Sequence, residues 1–445
     1  MDLMYRRCAG LDVHKNTICA WIRYLDEHGQ LIEKYREFGT MTGELLALCV
    51  WLAEHGVTHV AMESTGVFWK PVFNVLEGHV EVLLCNARDV KNVPGRKTDM
   101  KDSQWLAQLL QFGLLRASFM PPRPQRELRD LTRTRAGRQD EKARVANRIH
   151  KILEDANIKL GSVATDILGV TGREILQKLM AGETEPEALA QCARKGLKKK
   201  KAQLSAALEG RLLPHHRFML RLEWEHLCFI EGSIERLDER IQMQLASPEL
   251  SPPAAPCQPE AQTPPAQPLA RAPLAPLKAL PFLAAAQLLD AMCGINLVSA
   301  ENILAEIGTN MAQFPSDAHL SSWSGLCPGN NQSAGKSNSG KTRKGNRWLR
   351  RALTQAAWGA QRKKGSYFGA LYRRLVRRRG KQRAIVAVAH SMLVTIYHML
   401  KRHTAYADLG AEHFDQRDSQ RTERALVKRL QALGYNVTLP PKMAS

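Results

Sequence analysis

Residues 248–281 limit what this chain can fold into more than any other stretch. They include SPPAAPCQPEAQTPPAQPLARAPLAP and hold 11 of the 22 prolines in 445 residues. Proline lacks a backbone N–H and fixes φ, so neither a continuous helix nor a central strand can run through such a segment. It predicts an extended, semi-rigid linker, and hence a chain built in parts that hinge about it.

The parts before the linker differ in pattern. Residues 5–114 alternate: RRCAGLDVH, TICAWIRYL and LIEKYREF predict three strands joined by short turns. GELLALCVWLAEHG has helical spacing, THVAME is a short strand, and GVFWKPVFNVLEGH is a helix that Pro71 should distort. VEVLLCN gives a fifth strand and DSQWLAQLLQFGLL a further helix. The order βββαβαβα predicts a mixed sheet flanked by helices. Residues 124–246 look almost wholly helical. Val145, Ile149, Ile152 and Ala156 recur at helical spacing, as do Leu227, Ile230, Ile234, Leu237 and Ile241. Both runs fit helices pairing along a coiled-coil seam, within one chain or between chains. The expected division is therefore 1–120, an α/β domain; 121–246, a helical, coiled-coil middle; 247–281, the linker; and 282–445, a second helical domain.

Charge narrows the partner. Lys and Arg number 64 against 43 acids, a formal net charge of +21. An excess of that size points first to nucleic acid. It is concentrated between Lys336 and Arg383, where 17 basic residues stand with no acid. A solvated helix face mixes both signs, so this run predicts a phosphate-facing surface. RKGLKKKK, from Arg194 to Lys201, is a second basic run, either a solvated tip or an RNA contact. No stretch of eighteen apolar residues predicts a membrane span, and MDLMYRRCAGLD lacks the apolar core of a signal peptide. The nine cysteines stand singly, with no C-x-x-C pair. These features predict reduced thiols and a cytosolic protein.

Against that basic background, four acids stand out. Asp12 ends the first strand in GLDVHK and Glu63 ends the fourth in AMESTG. Asp99 and Asp102 open the helix after the fifth strand, in GRKTDMKDSQWLAQLL. Singly, each has an ordinary reading as a turn former or a first-turn helix acid. Together, adjacent strand ends can gather them at one edge of the sheet. Such a cluster suits hard divalent cations such as Mg²⁺, and two ions there would serve phosphodiester displacement.

GLDVHK, MESTGVFWKPV and NARDVKNVPGRKTDMKDSQWLAQLL resemble the DEDD transposases of bacterial insertion sequences. That family includes the Piv-type invertases and the bridge-RNA-guided recombinases. The resemblance implies an RNase H-like (RuvC-like) N-terminal domain and a C-terminal transposase domain. Its four metal-binding, catalytic acids fall on Asp12, Glu63, Asp99 and Asp102. It also implies Mg²⁺ as cofactor, DNA ends and a target as substrates, a guide RNA as partner, and a dimer or tetramer. KTDMKDS has Ser103 where the family usually has alanine.

The second domain opens with LLDAMCGINLVSAENILAEIG, two helices around a tight turn. It is similar to the family's helix–hairpin–helix, with CGIN for the usual P-G-I-G, which predicts packing rather than phosphate binding. From its residues alone, LSSWSGLCPGNNQSAGKSNSGKTRKGNRWLRRAL is a polar loop opening into a basic helix, with no His or acid to activate a hydroxyl. It is similar to the family's GL-x-P … SG … K-x-GN … LRRAL signature. By that likeness the nucleophilic serine falls on Ser333, with Ser337 and Ser339 as alternatives. The glycine usual directly after it stands one residue later, at Gly335. Lys336, Lys341, Arg343, Lys344, Arg347 and Arg350 would grip the DNA backbone. The expected activity is strand cleavage and rejoining through phosphoserine; the alternative is a RuvC-like junction endonuclease that uses water. His390 and His398, on an apolar helix, are expected to be core residues.

Overall fold

The alternation of residues 5–114 builds one five-stranded sheet in the computed structural model. The model describes residues 3–64, 66–87, 90, 101–250, 279–329, 331–333, 336–339, 341–342, 344–414 and 419–437. Strands β1 (Arg7–Val13), β2 (Thr17–Leu25) and β3 (Leu31–Gly39) form an antiparallel meander. Helix α1 (Thr42–Glu54) then leads to β4 (His59–Glu63). Helix α2 (Trp69–Leu76) leads in turn to β5 (Glu81–Cys85). Both β4 and β5 run parallel to β1, giving the order β3-β2-β1-β4-β5. Helix α3 (Asp102–Gln111) follows.

Side chains of a strand alternate between faces, and here each face has its own helices. Ala9, Leu11, Val60 and Met62 pack with Leu48 and Leu52 of α1 and with Val72 and Leu76 of α2. Cys8, Ala61 and Cys85 pack with Trp105, Leu106 and Leu109 of α3. β1 is consequently buried on both sides. Pro71 does not distort α2, because the helix begins at Trp69. In the first turn a proline removes only an N–H that has no intrahelical acceptor.

This sheet unit, Met1–Pro121, is one compact body; Pro122–Ser445 is a second, helical one. In the second, α4 (Arg123–Asp155) is followed by the short helices α5 (Leu160–Val163), α6 (Val170–Ala181) and α7 (Pro186–Ala190). A 3-10 turn (Lys195–Lys200), α8 (Lys201–Leu208) and the long α9 (Pro214–Leu245) come next. α4 and α9 run antiparallel: Arg148 bonds Glu223, Arg135 bonds Asp238, and Gln244 bonds the carbonyl of Pro124. Val145, Ile149, Leu227 and Ile230 are buried between them, while Ile152 and Ile234 are partly buried. The two apolar runs thus meet within one chain. The short helices cap this pair, adding Ile175, Leu179, Leu189 and Leu204 to its core.

After the proline-rich segment come α10 (Phe282–Asp290), α11 (Leu297–Ile307) and α12 (Asp317–Trp323). The hairpin β6 (Asn331–Ser333) and β7 (Lys336–Ser339) precedes α13 (Arg347–Ala360), α14 (Tyr367–Arg402) and α15 (Ser419–Ala432). α14 is bent at Gly380 (φ 75°, ψ 165°), which separates a basic half from an apolar one. Among the described residues α14 alone is long and apolar enough to cross a membrane, and more than half of that apolar window is buried inside the protein.

The expected hinge at the proline-rich segment meets a different arrangement. Residues 251–278 themselves lie outside the described residues. On either side of them, the chain is held by one helix. α4 bonds α9 before the segment through Arg135 and Asp238. It bonds α11 after it through Arg135 and Glu301 and through Arg133 and Glu306. Asp140 of α4 also pairs with Arg351 of α13 at 2.6 Å. Charged side chains of α4 thus serve as ties, and the helices on both sides share one body.

Candidate active site

Strand register brings two of the four acids together. Gly10 of β1 pairs with Ala61 of β4 and Leu11 with Met62, so Asp12 and Glu63 follow as the next step of the parallel ladder. Cys8 and Ala61 face α3, and alternation puts Gly10, Asp12 and Glu63 on that same face. The two carboxylates therefore leave the carboxyl ends of neighbouring strands, whose axes lie about 4.8 Å apart. Both are half-buried.

Asp102 is brought to the same region by α3, of which it is the first residue. The helix lies so close to β1 that a Cβ on Gly10 would stand 2.1 Å from the carbonyl oxygen of Ser103 and 2.5 Å from the amide of Ala107. Only glycine permits that approach. Ser103 thus rests on the backbone two residues before Asp12, with Asp102 beside it at the helix start. Asp99 lies outside the described residues. Among the described residues no three His, Cys, Asp or Glu side chains stand close enough together to hold an ion. The donor chemistry of Asp12, Glu63 and Asp102, all carboxylate oxygens, nevertheless matches what Mg²⁺ prefers.

One neighbour was not anticipated from the sequence. His14 Nε2 stands 3.1 Å from Asp12 Oδ2. The signal was present in the D-x-H spacing of GLDVHK, where the tight turn into β2, closed by His14 N to Thr17 O at 2.9 Å, folds the ring back. Ser103 is a second surprise: it is fully buried, and its hydroxyl has no partner among the described residues.

In the helical body, the segment expected to be an irregular loop contains a hairpin. Ser333 is the last residue of β6 and pairs with Lys336 of β7; Gln332 pairs with Ser337 and Asn331 with Ser339. The base is closed by a bridge between Pro328 and Thr342 and by Gly329 N to Lys341 O at 2.9 Å. The three candidate serines thus belong to one two-stranded element, with Ser333 nearest its tip. The description of Ser333 and Lys336 extends to their backbone pairing, and Arg343 lies outside the described residues.

The flanking motifs are joined by backbone contact. A Cβ on Gly345 would fall 2.4 Å from the amide of Gly325, so the glycines of SGL and KGN touch. Asn346 then starts the basic helix. Its Oδ1 accepts from the amides of Trp348 and Leu349 at 3.0 and 3.1 Å, and its Nδ2 donates to Glu306 at 2.6 Å. Glu306, 1 % exposed, also accepts two bonds from Arg133, and burial lowers the neighbouring Arg129 guanidinium to about 10. α13 is therefore fixed at its first turn. Leu349, Leu353 and Ala356 face inward, while Lys341, Lys344 and Arg347 are exposed and Arg350 is half-exposed. The helix–hairpin–helix of α10 and α11 serves packing: a Cβ on Gly294 would meet the carbonyl of Ala356 on α13 at 2.4 Å. His390 and His398 are half-buried on the apolar half of α14.

Two comparisons with known families fall on these two regions. A DEDD transposase model of the IS110 type matches residues 9–158, spanning the acids. A model of the IS116/IS110/IS902 transposase family matches residues 286–373, spanning the hairpin and α13. The chain is a DEDD transposase of the IS110 family. A search of curated proteins finds no match. As a transposase, it is an enzyme acting on DNA, cutting and rejoining strands during the movement of an insertion sequence. Its mixed α/β sheet followed by helices fits an RNase H-like DEDD domain with a helical remainder. Residues 159–285 of the transposase fall outside both matches.

Proposed function

We propose that this transposase cuts and rejoins DNA through a phosphoserine bond to Ser333, at a phosphate attended by Asp12, Glu63, Asp99 and Asp102. The observation that carries the reading is the pairing of Asp12 and Glu63 on one face, at the carboxyl ends of neighbouring parallel strands. Half-buried carboxylates there repel one another and the DNA alike, an arrangement that suits a site for divalent cations. Asp12, Glu63, Asp99 and Asp102 would hold Mg²⁺, two ions in this reading, which when bound would supply positive charge at the scissile phosphate and ease loss of the serine proton. The Ser333 hydroxyl gives up its proton and its oxygen bonds to phosphorus. The strand's own oxygen leaves that phosphorus and takes up a proton. Rejoining reverses the exchange with a hydroxyl of a new strand and regenerates the serine.

Lys336, Lys341, Arg343, Lys344, Arg347 and Arg350 hold the DNA backbone beside the serine. The functional parts of the chain are 1–120 for the acids, 121–246 for pairing of subunits, 247–281 as linker and 282–445 for the serine. Phe218, Leu222 and Phe229 are exposed on α9 at spacings of four and seven, which supports coiled-coil pairing of two chains as a dimer or tetramer. In this reading the acids of one subunit serve the serine of another. A bridge RNA selects the DNA, in the cytoplasm at the nucleoid.

The test is a denaturing gel of labelled element DNA, incubated with Mg²⁺ and protein. A covalent protein–DNA band lost in both Ser333→Ala and Asp102→Ala is the expected result. Cleavage by Ser333→Ala with no adduct would assign the reaction to water at a RuvC-like nuclease site. Protein purified without element-derived RNA, and cutting equally well after RNase, would remove the guide RNA.

A further inference from the structure

The basic run 194–201 is held in a fixed array. It belongs to the cap on α4 and α9, within the stretch outside both family matches. Lys195–Lys200 form a 3-10 turn, in which residues i and i+3 eclipse at a rise of about 2 Å per residue. Lys198, Lys199 and Lys200 therefore follow one another within about 4 Å of rise along the turn, with Lys195 at its start. Leu197 is turned inward and packs on the core of the helical body. Lys195, Lys198, Lys199 and Lys200 are all exposed.

Both ends of the turn are tied down. The Arg194 amide donates to Thr171 Oγ1 at 3.2 Å, and its guanidinium donates to Glu174 at 2.9 Å. Lys201 Nζ donates to Gln191 at 2.6 Å. Lys195 is held at φ +47°, a left-handed conformation that strains a residue with a side chain. A merely solvated tip needs neither the ties nor the strain. Nearby in the cap, Arg173 is matched with Glu231 and Arg194 with Glu174. Among the described residues, none of these four lysines has an acidic partner. Four like charges are thus kept close together and unneutralised, which costs folding energy unless a polyanion covers them.

We infer that the lysine array at 195–200 is a binding site for a phosphodiester backbone, additional to the basic surface beside Ser333. Closely spaced point charges on one short turn suit the repeated phosphates of a strand, and Lys ammonium groups contact phosphate without reading bases. A membrane surface would require apolar side chains beside the lysines, and the turn's apolar side chain, Leu197, is committed to the core. DNA and RNA share the ligand chemistry. The inference does not rest on phosphoserine chemistry.

The test uses the full chain carrying Ser333→Ala, without Mg²⁺, so that the outcome is independent of strand cleavage. Fluorescence anisotropy follows binding of a labelled duplex DNA and a labelled hairpin RNA, both of arbitrary sequence, across a salt series. Lys195→Gln, Lys198→Gln, Lys199→Gln and Lys200→Gln together should reduce the log–log salt slope by about three to four on the duplex. The Kd should rise at least about tenfold at roughly 0.1 M salt. The matching four Lys→Arg substitutions should restore both. Loss on RNA alone assigns the site to RNA, loss on DNA alone to DNA, and loss on both to backbone in general. Unchanged slope and affinity on both probes, in a variant that melts like the parent, would overturn the inference. So would a loss confined to binding of vesicles containing anionic lipid.

Discussion

Arg135 of α4 donates to Glu301 of α11 across 2.6 Å, with the two side chains only 2 % and 1 % exposed. The same guanidinium reaches Asp238 on α9 at 2.7 Å and Asn302 at 2.9 Å. Removing one partner of a buried pair leaves a charge without compensation, at a cost of about 3–5 kcal/mol. Glu301→Ala should lower the unfolding free energy of the helical body by that amount, read as a lower denaturant midpoint at unchanged slope. Arg135→Met with Glu301→Leu should recover most of it. A single variant that unfolds within about 1 kcal/mol of the parent would show that the pair does not hold the body together.

Ser103 offers a change in the opposite direction. Its hydroxyl is buried against β1 without a partner among the described residues, and an unsatisfied buried polar group costs about 1–3 kcal/mol. Ser103→Ala should raise the melting temperature of the sheet unit by the equivalent of about 1 kcal/mol, with DNA cleavage retained. A lower melting temperature would mean that the hydroxyl is used.

Gly10→Ala tests how α3 is seated. The added methyl would stand 2.1 Å from the Ser103 carbonyl, so the helix must move outward. Overpacking of this kind costs about 3 kcal/mol. Because Asp102 travels with that helix, cleavage should fall by more than the loss of folded protein explains. Circular dichroism beside a cleavage assay separates the two. Equal losses in both would argue against a role for Asp102 at the reacting phosphate.

Acid should weaken the helical body through His390. Burial on α14 lowers its pKa, with Asp317 opposing. The unfolded chain, with a histidine pKa near about 6.5, then takes up the proton first. Stability from this group is present above that value and is lost as pH falls through the folded pKa. Thermal melts from about pH 7.5 to about pH 5 should show a shallower decline for His390→Gln than for the parent. Parallel curves would exclude the residue as a source of acid sensitivity.

How much could be seen in advance depended on whether the deciding force was local. The strands of residues 5–114 were legible because alternation is local, and Asp12 and Glu63 could be assigned to strand ends on that basis. The seat of α3 on Gly10 could not, since a glycine within a strand shows its use only when the crossing helix is known. Pro71 was read as a distortion because the helix start was placed too early. The hairpin at Ser333 was missed because NNQSAGKSNS lacks the apolar alternation that marks a strand. The hinge was expected from the prolines alone, whereas the ties among Arg129, Arg133, Arg135, Glu301 and Glu306 join elements far apart in sequence and show only in the fold. Burial turns them into the cement of one body.

That cement changes what the proline-rich segment is for. With α9 and α11 both fastened to α4, the chain between Leu250 and Ala279 joins two ends that are already fixed by other bonds. Loop-closure entropy grows only with the logarithm of length, about 0.6 kcal/mol for each doubling. The segment is therefore a place where the gene can lengthen, shorten or accept a foreign insert at little energetic penalty.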